Sequence, residues 1–242
     1  MSALPCFDRT FATPAENVAA DEALLDWCET TDGVGALRFW ESDRLFVVVG
    51  YGNHVDLEVN VAQCRADGVP ILRRCSGGGT VLQGPGCLNY AVVLPLTAEP
   101  ALTNVSATNR FFMTRIVRAL SRVTRRPVAV MGHTDLAIGG LKFSGNAQRR
   151  KARHVLFHGT FLIDFDLPLI GRYLPPPSRE PAYRAGRAHG DFLTCLSVDR
   201  GDLKGALRAE WGATPMAADF PTAPLASLVA AKYGRDEYNL RR

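Results

Sequence analysis

A mixed β-sheet flanked by helices, an α/β fold of the α+β kind, is what these 242 residues predict. Three observations lead there. Strand-like runs dominate the middle of the chain, from Leu37 to about Asp164. Helical patterns lie before, between and after them. The two types do not alternate regularly, so the pattern favours a mixed sheet with helices packed against it over a repeated βαβ plan. The length suits one large domain spanning 1–242.

The elements follow in order. Thr13-Pro14-Ala15-Glu16 reads as a helix start, with Thr13 as cap, Pro14 at the first helical position and Glu16 bonding back, and the helix runs to about Trp27 or Cys28. Residues 37–40 and 45–50 read as strands joined by a short polar turn. Residues 61–66 form a short helix closed by Gly68. Strands at 70–74 and 88–94 flank a glycine-rich connection. Residues 106–124 form an amphipathic helix with Phe112, Ile116, Leu120 and Val123 on one stripe, stopped by Pro127. Strands follow near 128–131 and 135–138, then a Gly139-Gly140 hairpin turn, a strand over 141–148, a basic loop, and a strand over 155–164. Pro175-Pro176-Pro177 opens a polar surface excursion reaching about Gly190, and helices at 202–211 and 224–233 finish the chain.

Composition narrows the function. Hydrophobic residues make up 47% and charged residues 21%, as in an ordinary folded globular protein. The net charge of +4 is too mild to indicate a nucleic-acid partner and suits acidic small molecules or an acidic partner domain. Six cysteines show neither CxxC spacing nor histidines at zinc-ligand spacing, so they read as reduced, mostly buried thiols. No signal peptide is visible and no stretch approaches 18 apolar residues, which predicts a cytoplasmic protein with no membrane span.

Two segments carry chemistry. In Arg73-Arg74-Cys75-Ser76-Gly77-Gly78-Gly79-Thr80-Val81, three glycines leave the main chain bare, so N–H groups can meet phosphate or carboxylate oxygens. The two arginines supply forked donors. The bland alternative is a tight hairpin with solvated arginines, yet a plain turn rarely needs three glycines. The run lacks the Lys-Ser or Lys-Thr of a P-loop and is not the G-x-G-x-x-G pattern. In the second segment, 140–148, strict alternation places Lys142, Ser144 and Asn146 on one face and Leu141, Phe143 and Ala147 on the other. The next strand matches it, with His158, Thr160 and Asp164 opposite Phe157, Phe161 and Ile163. A half-exposed hairpin is the alternative. The flanking Gly145 and Gly159, the upstream Asp135 and a single lysine among small polar groups favour a charge-neutralising site.

Together these segments resemble the lipoate–protein ligase family, within the wider biotin/lipoate ligase superfamily. Residues 73–81 resemble its RRxSGGGxV motif, and Gly86-Cys87-Leu88-Asn89-Tyr90 the segment after it. Thr134-Asp135 and 142–148 resemble its Asn-Asp and KxSGxAQ motifs, His158-Gly159-Thr160-Phe161-Leu162 its HGTLL strand, and 17–25 its opening helix. The likeness covers most of 15–164, with a weaker echo at 228–233. Gln83 stands where a histidine is common, Cys87 where an asparagine is, and Thr134 where the usual asparagine precedes the aspartate.

The resemblance implies a class II synthetase-like catalytic core that activates lipoate or octanoate with ATP and Mg²⁺. The acyl group then passes through an acyl-adenylate to a lysine of a carrier domain, of the E2 or glycine-cleavage H type. It implies that Lys142 contacts the acyl carbonyl and phosphate and that Asp135 sits on the nucleotide side. Arg73, Arg74, Ser76, Gly77, Gly78, Gly79, Thr80, Asn89, Ser144, Gly145, Ala147, His158, Gly159 and Thr160 would complete the substrate and adenylate surface. The small C-terminal domain of longer ligases is missing, so either a separate polypeptide supplies it or this is a self-sufficient short form. The rivals are an octanoyl transferase working through a cysteine thioester, for which Cys195 is the candidate, and a non-catalytic acyl or adenylate binder. The loop Arg149, Arg150, Lys151 and Arg153 is a candidate docking site for an acidic carrier, or a solvated basic turn.

Overall fold

The computed structural model describes residues 4–31, 35–216 and 219–241. In chain order, β1 (Leu4–Asp8) leads to α1 (Pro14–Thr30), then β2 (Ala36–Glu41) and β3 (Phe46–Val49). Two short helices, α2 (Val55–Glu58) and α3 (Val61–Ala66), precede β4 (Ile71–Arg73), β5 (Val81–Gln83) and β6 (Cys87–Pro95). Next come α4 (Val105–Leu120) and the meander β7 (Ala129–Met131), β8 (Asp135–Ile138), β9 (Leu141–Arg150) and β10 (His154–Leu162). The remainder is α5 (Pro168–Tyr173), α6 (His189–Phe192), α7 (Arg200–Trp211), β11 (Ala213–Pro215), α8 (Thr222–Leu228) and α9 (Asp236–Asn239).

Local chemistry sets these boundaries. At the start of α1 the Thr13 hydroxyl accepts from the Glu16 N–H, and the Glu16 carboxylate accepts from the Thr13 N–H, which closes a capping box. At the start of α4 the Asn104 Oδ1 accepts from the Ala107 N–H, a simple side-chain cap. The buried side of α4 carries Phe112, Ile116 and Leu120; Val123 lies just beyond the helix, partly buried.

Eight strands form one mixed sheet in the order β11-β1-β2-β6-β10-β9-β8-β7, and β4-β3-β5 form a second, smaller sheet. β1 pairs in parallel with β2 and β11, while the rest of the large sheet is antiparallel. The central strands β6 and β10 are buried on both faces because helices cover each side. Leu88, Tyr90, Val92, Phe157 and Phe161 pack toward α4 and α7. Ala91, Val93 and Leu156 pack toward α1 and α8. A third core joins the small sheet to α3 and α5. The mixed sheet flanked by helices is thus as expected, and Gly139-Gly140 turns the β8–β9 hairpin with both φ angles positive.

Four expectations change or gain detail. Residues 37–40 and 45–50 are both strands, but they belong to different sheets. The short strands β1, β5 and β11, of three to five residues, carry too little pattern to be read locally. The last helix is interrupted, α8 passing into a π-helical turn at Val229–Tyr233. Finally, 174–193 is largely exposed or half-buried, as expected of a surface excursion, but it is not free of the fold. It folds back across the sheet edge beside β9, where Thr194 N–H donates to the Lys142 carbonyl and Leu193 bridges Lys142. No helix among the described residues is long and apolar enough to cross a membrane.

Candidate active site

Two cavities meet beside Lys142. The narrower, about 140 Å³, is walled by Val18, Trp40, Val48 and Val81 with Arg74, Gln83 and Asn89. The larger, about 590 Å³, is walled by Phe143, Leu162, Ile170 and Phe192 with polar groups from the segment 177–193. Gly78, Gly79, Thr80, Asp135, Lys142, Gly145, Asn146 and Thr160 border both. Lys142 Nζ sits 2.8 Å from Asp135 Oδ1, and the Tyr183 hydroxyl donates to Asp135 Oδ2 at 2.8 Å. Burial, with the Asp135 charge adding to it, holds the Tyr183 phenol protonated well above its usual range.

A β-bulge decides which residues face this junction. β8 and β9 pair in one register at Ala137↔Lys142 and in another at Leu136↔Ser144, which leaves Phe143 as the extra residue. Beyond it, Ala147 lies opposite His158, Asn146 opposite Gly159 and Gly145 opposite Thr160. Lys142 therefore shares its face with Gly145 and Ala147, not with Ser144 and Asn146, and the strict alternation expected of 141–147 is corrected. Two contacts confirm it. A Cβ on Gly145 would lie 3.1 Å from Lys142 Nζ, and one on Gly159 would lie 1.8 Å from Asn146 Oδ1. Asn146 instead accepts from the Tyr90 hydroxyl at 2.6 Å and donates to the Thr134 carbonyl, tying β9 to its neighbours. Ser144 is buried and reaches the wall of the larger cavity only.

The glycine-rich run forms the other wall. Gly78 has φ +88°, and a Cβ there would stand 3.0 Å from Arg74 Nη2 and 3.8 Å from the Ala147 Cβ. The residue has no side chain because the loop turns left-handed and lies against β9. Arg74 donates to the carbonyls of Gly77 and Gly79 and to Ser76 Oγ, so it shapes the loop from within; burial lowers its guanidinium to about 10, still charged at neutral pH. The Thr80 hydroxyl is buried with no partner and borders both cavities. Gly77 is exposed and lines neither.

Arg73 and Ser76 lie outside both cavities, and His158 is bound to the loop that carries them. Arg73 is 1% exposed and lines neither cavity. Its donors go to the carbonyls of Gly50, Tyr51, Asn53, Tyr238 and Arg241, and its N–H goes to Asn239 Oδ1. It clamps the 236–241 segment onto the loop behind the glycines. His158 Nδ1 lies 2.8 Å from Asp21 Oδ2, and its Nε2 lies 2.6 Å from Ser76 Oγ. A carboxylate only accepts, so Nδ1 carries the proton and, in the neutral ring, Ser76 donates to Nε2. Asp21 is also paired with fully buried Arg38 at 2.6 Å. This resembles the Ser-His-Asp order of nucleophilic enzymes. However, Ser76 is 1% exposed and outside both cavities, so the chain Arg38–Asp21–His158–Ser76 anchors the loop to α1 and β10. His158 borders the narrow cleft, as do Gly159 and Ala147.

Several site residues carried no local signal. Gln83 donates to Asn89 Oδ1 at 3.0 Å and to Thr160 Oγ1 at 2.6 Å, so the wall that includes the expected Asn89 and Thr160 is a cross-linked amide–hydroxyl cluster. Tyr183, Arg184 and His189 come from the segment read as surface. Burial lowers the His189 pKa, so its ring is neutral at pH 7 beside the Pro175 carbonyl.

The cysteines stand apart from this chemistry. Burial pushes the thiols of Cys75 and Cys87 up to about 12, and none of the six lines either cavity. Cys195 is half-buried, its Sγ donates to the Phe165 carbonyl at 3.4 Å, and burial raises its pKa as well. The basic loop is similarly committed. Arg150 donates to Thr108 Oγ1 and the Leu102 carbonyl, Lys151 pairs with Asp26, and the Arg153 N–H donates to Glu29. It ties the β9–β10 turn to α1 and α4, so several of its donors are engaged within the fold.

Residues 13–197 match the family model for the lipoyl protein ligase A/B catalytic domain. A lipoate-protein ligase A homologue from Aeropyrum pernix is 35% identical over 170 residues, covering 69% of this chain and 60% of that one. Over it and two Mycoplasma homologues, the chain spans 46–60% of the relatives' lengths. The octanoyltransferase LipM of Geobacillus kaustophilus is 27% identical and is covered over 97% of both chains. Among solved structures, the bipartite lipoate protein ligase of Thermoplasma acidophilum, described with its E2 lipoyl domain, superposes with a TM-score of 0.85. It is 20% identical, with 100% of this chain and 98% of that one covered. The class II synthetase-like core is therefore the fold of this protein.

Proposed function

This chain belongs to the lipoyl protein ligase A/B family, and from that premise we propose that it is an ATP-dependent lipoate–protein ligase, acting as one catalytic domain over 1–242. The observation that carries this is the position of Lys142 Nζ where a narrow apolar cleft opens into a larger cavity. An eight-carbon acyl chain suits the first, and a nucleotide suits the second. The acyl carboxylate would then meet the α-phosphate beside the lysine.

The reaction follows from that placement. A carboxylate oxygen attacks the α-phosphorus, the bond to the β-phosphate oxygen breaks, and pyrophosphate leaves. The ε-amine of an acceptor lysine then attacks the acyl carbon, the bond to AMP breaks, and the amine gives up a proton. Lys142 offsets the negative charge that gathers in both steps, and the glycine main chain and Thr80 hydroxyl offer further donors. Such a route asks for positioning and charge, not for an enzyme nucleophile. Among the described residues no cluster of three or more His, Cys, Asp or Glu could hold a metal by itself. Mg²⁺ would enter with the nucleotide phosphates, with Asp135 as a nearby carboxylate. The acceptor is a lipoyl carrier domain of the E2 or glycine-cleavage H type, and a separate accessory polypeptide is compatible with the short chain.

The second reading, octanoyl transfer through a thioester, is favoured by the end-to-end match to LipM. The burial and protonation of all three candidate thiols, Cys75, Cys87 and Cys195, count against it. Lipoate-dependent exchange of pyrophosphate into ATP, paired with transfer from synthetic lipoyl-adenylate to a carrier domain, separates these readings and a purely binding role. The ligase catalyses both or, if an accessory chain is required for activation, transfer alone. Octanoyl transfer from acyl carrier protein with neither reaction contradicts the proposal.

A further inference from the structure

Arg184 is the least explained charged side chain in the site. It is 4% exposed and lines the larger cavity. Its Nε donates to the Arg187 carbonyl at 2.9 Å, its guanidinium stacks 4.9 Å from the Phe192 ring, and Glu180, which also lines the larger cavity, pairs with Nε at 3.6 Å. These contacts fix the head group but use only one of its nitrogens. Nη2 is buried without a hydrogen-bond partner, and neither Nη atom makes a hydrogen bond to the described residues. A buried guanidinium fork left unmatched in a cavity wall suits an anionic oxygen group, which it can meet with two parallel donors.

The surrounding backbone is built to hold that fork in place. Ala185, next in sequence, adopts φ +53°, a left-handed conformation costly for a residue with a Cβ. Arg187 spends its donors on the carbonyls of Arg184, Tyr183 and Gly140, which fastens the segment to the β8–β9 turn. Tyr183, on the other side, is bonded to Asp135, itself paired with Lys142. One turn thus fixes a guanidinium whose Nη2 has no hydrogen-bond partner in the same cavity that Lys142 borders.

We propose that Arg184 anchors the phosphate ester of the activated donor in the larger cavity that Lys142 also borders, an assignment that rests on the ATP-dependent reading for the identity of that donor. The shared chemistry is a phosphate ester, supplied by a nucleotide in ligation or by a phosphopantetheine arm in transfer.

Calorimetric affinities of the full chain for adenosine, AMP, pantetheine and 4′-phosphopantetheine test this, in wild type, Arg184→Gln and Arg184→Lys. Wild type should prefer AMP over adenosine about tenfold or more, the scale of one charge-assisted contact. Arg184→Gln should lose most of that preference while binding adenosine as wild type does. Arg184→Lys, which keeps the charge without the fork, should retain part of it and serves alone if the glutamine variant does not fold. A preference for 4′-phosphopantetheine in place of AMP, lost in the same variants, upholds the anchor and removes the ATP reading. An AMP preference unchanged by both substitutions overturns the anchor and leaves the ATP reading standing. Equal weakening toward adenosine and AMP makes Arg184 purely structural and overturns it, as does a wild type blind to phosphate.

Discussion

Lys142 and Gly159 show how single side chains set the site. Lys142 is partly exposed at the meeting of the two cavities and packs on no core, so Lys142→Ala should fold as wild type does and lose acyl activation and transfer by roughly 100-fold or more. Steady-state kinetics with a melting curve check both halves, and near-full activity contradicts the assignment. Gly159 is the opposite case. A methyl there would collide with Asn146 Oδ1 at 1.8 Å and the Gly145 carbonyl at 2.9 Å, so Gly159→Ala should cost about 1–3 kcal/mol in urea unfolding. At this scale the motifs are legible where side chains are few and chemically distinct: Gly78, Gly79, Lys142, Asp135 and Thr160 all reach the cavities. Arg73 and Ser76 lie outside the cavities they are expected to line, because adjacency to a glycine-rich loop in sequence does not say which way a side chain turns. Arg73 points back to main-chain carbonyls, and nothing in Arg73-Arg74 distinguishes the inward arginine from the one that shapes the loop.

Elements were legible where a period or a cap repeats over several residues. The capping box of α1 and the stripe of α4 are such cases, and Thr13→Ala should lower stability by about 1 kcal/mol in urea unfolding. Strand β9 was legible as a strand but not in its facing. A bulge inserts one residue at Phe143 and exchanges the faces beyond it, and only pairing with β8 reveals the shift. The segment 174–193 is largely exposed or half-buried, as its proline and polar content predicts, but that content does not show that several of its side chains line a cavity or that the chain is held by Arg187, Tyr183 and the Thr194 N–H. The clamp between Arg73 and the 236–241 segment is invisible in sequence, since its partners are backbone carbonyls up to 168 residues away. Arg73→Ala should leave five carbonyls short of a donor, destabilise by roughly 3 kcal/mol and loosen the glycine loop that rests on Gly50 and Asn53. Hydrogen exchange that is faster only at the amides of 236–241 and the glycine loop would mark the clamp, whereas unchanged exchange there contradicts it.

Across the whole molecule, the helices on both faces of the large sheet seal a set of thiols away from water. Burial raises Cys6 to about 11 and Cys28, Cys75 and Cys87 to about 12. In the unfolded chain a thiol ionises near pH ~8.5. Below that value the groups are protonated in both states and stability is fully present. Between about 9 and 12 the folded state retains protons that the unfolded state releases, so stability falls as pH rises. Urea midpoints should therefore be level from pH 7 to 8 and decline from 9 to 10, and a midpoint that rises over that interval contradicts the burial. The same sealing bears on the chemistry, since a protonated thiol outside both cavities is a poor nucleophile. An acyl group carried as an adenylate formed beside Lys142 leaves an isotopic trace in AMP. Lipoate labelled with ¹⁸O in both carboxylate oxygens, incubated with ATP, Mg²⁺ and an acceptor carrier domain, should yield AMP bearing one ¹⁸O, because the attacking oxygen stays on phosphorus when the acceptor lysine takes the acyl carbon. Carrier domain modified from octanoyl-acyl carrier protein, with no label in AMP and an octanoyl adduct on the protein, would contradict it.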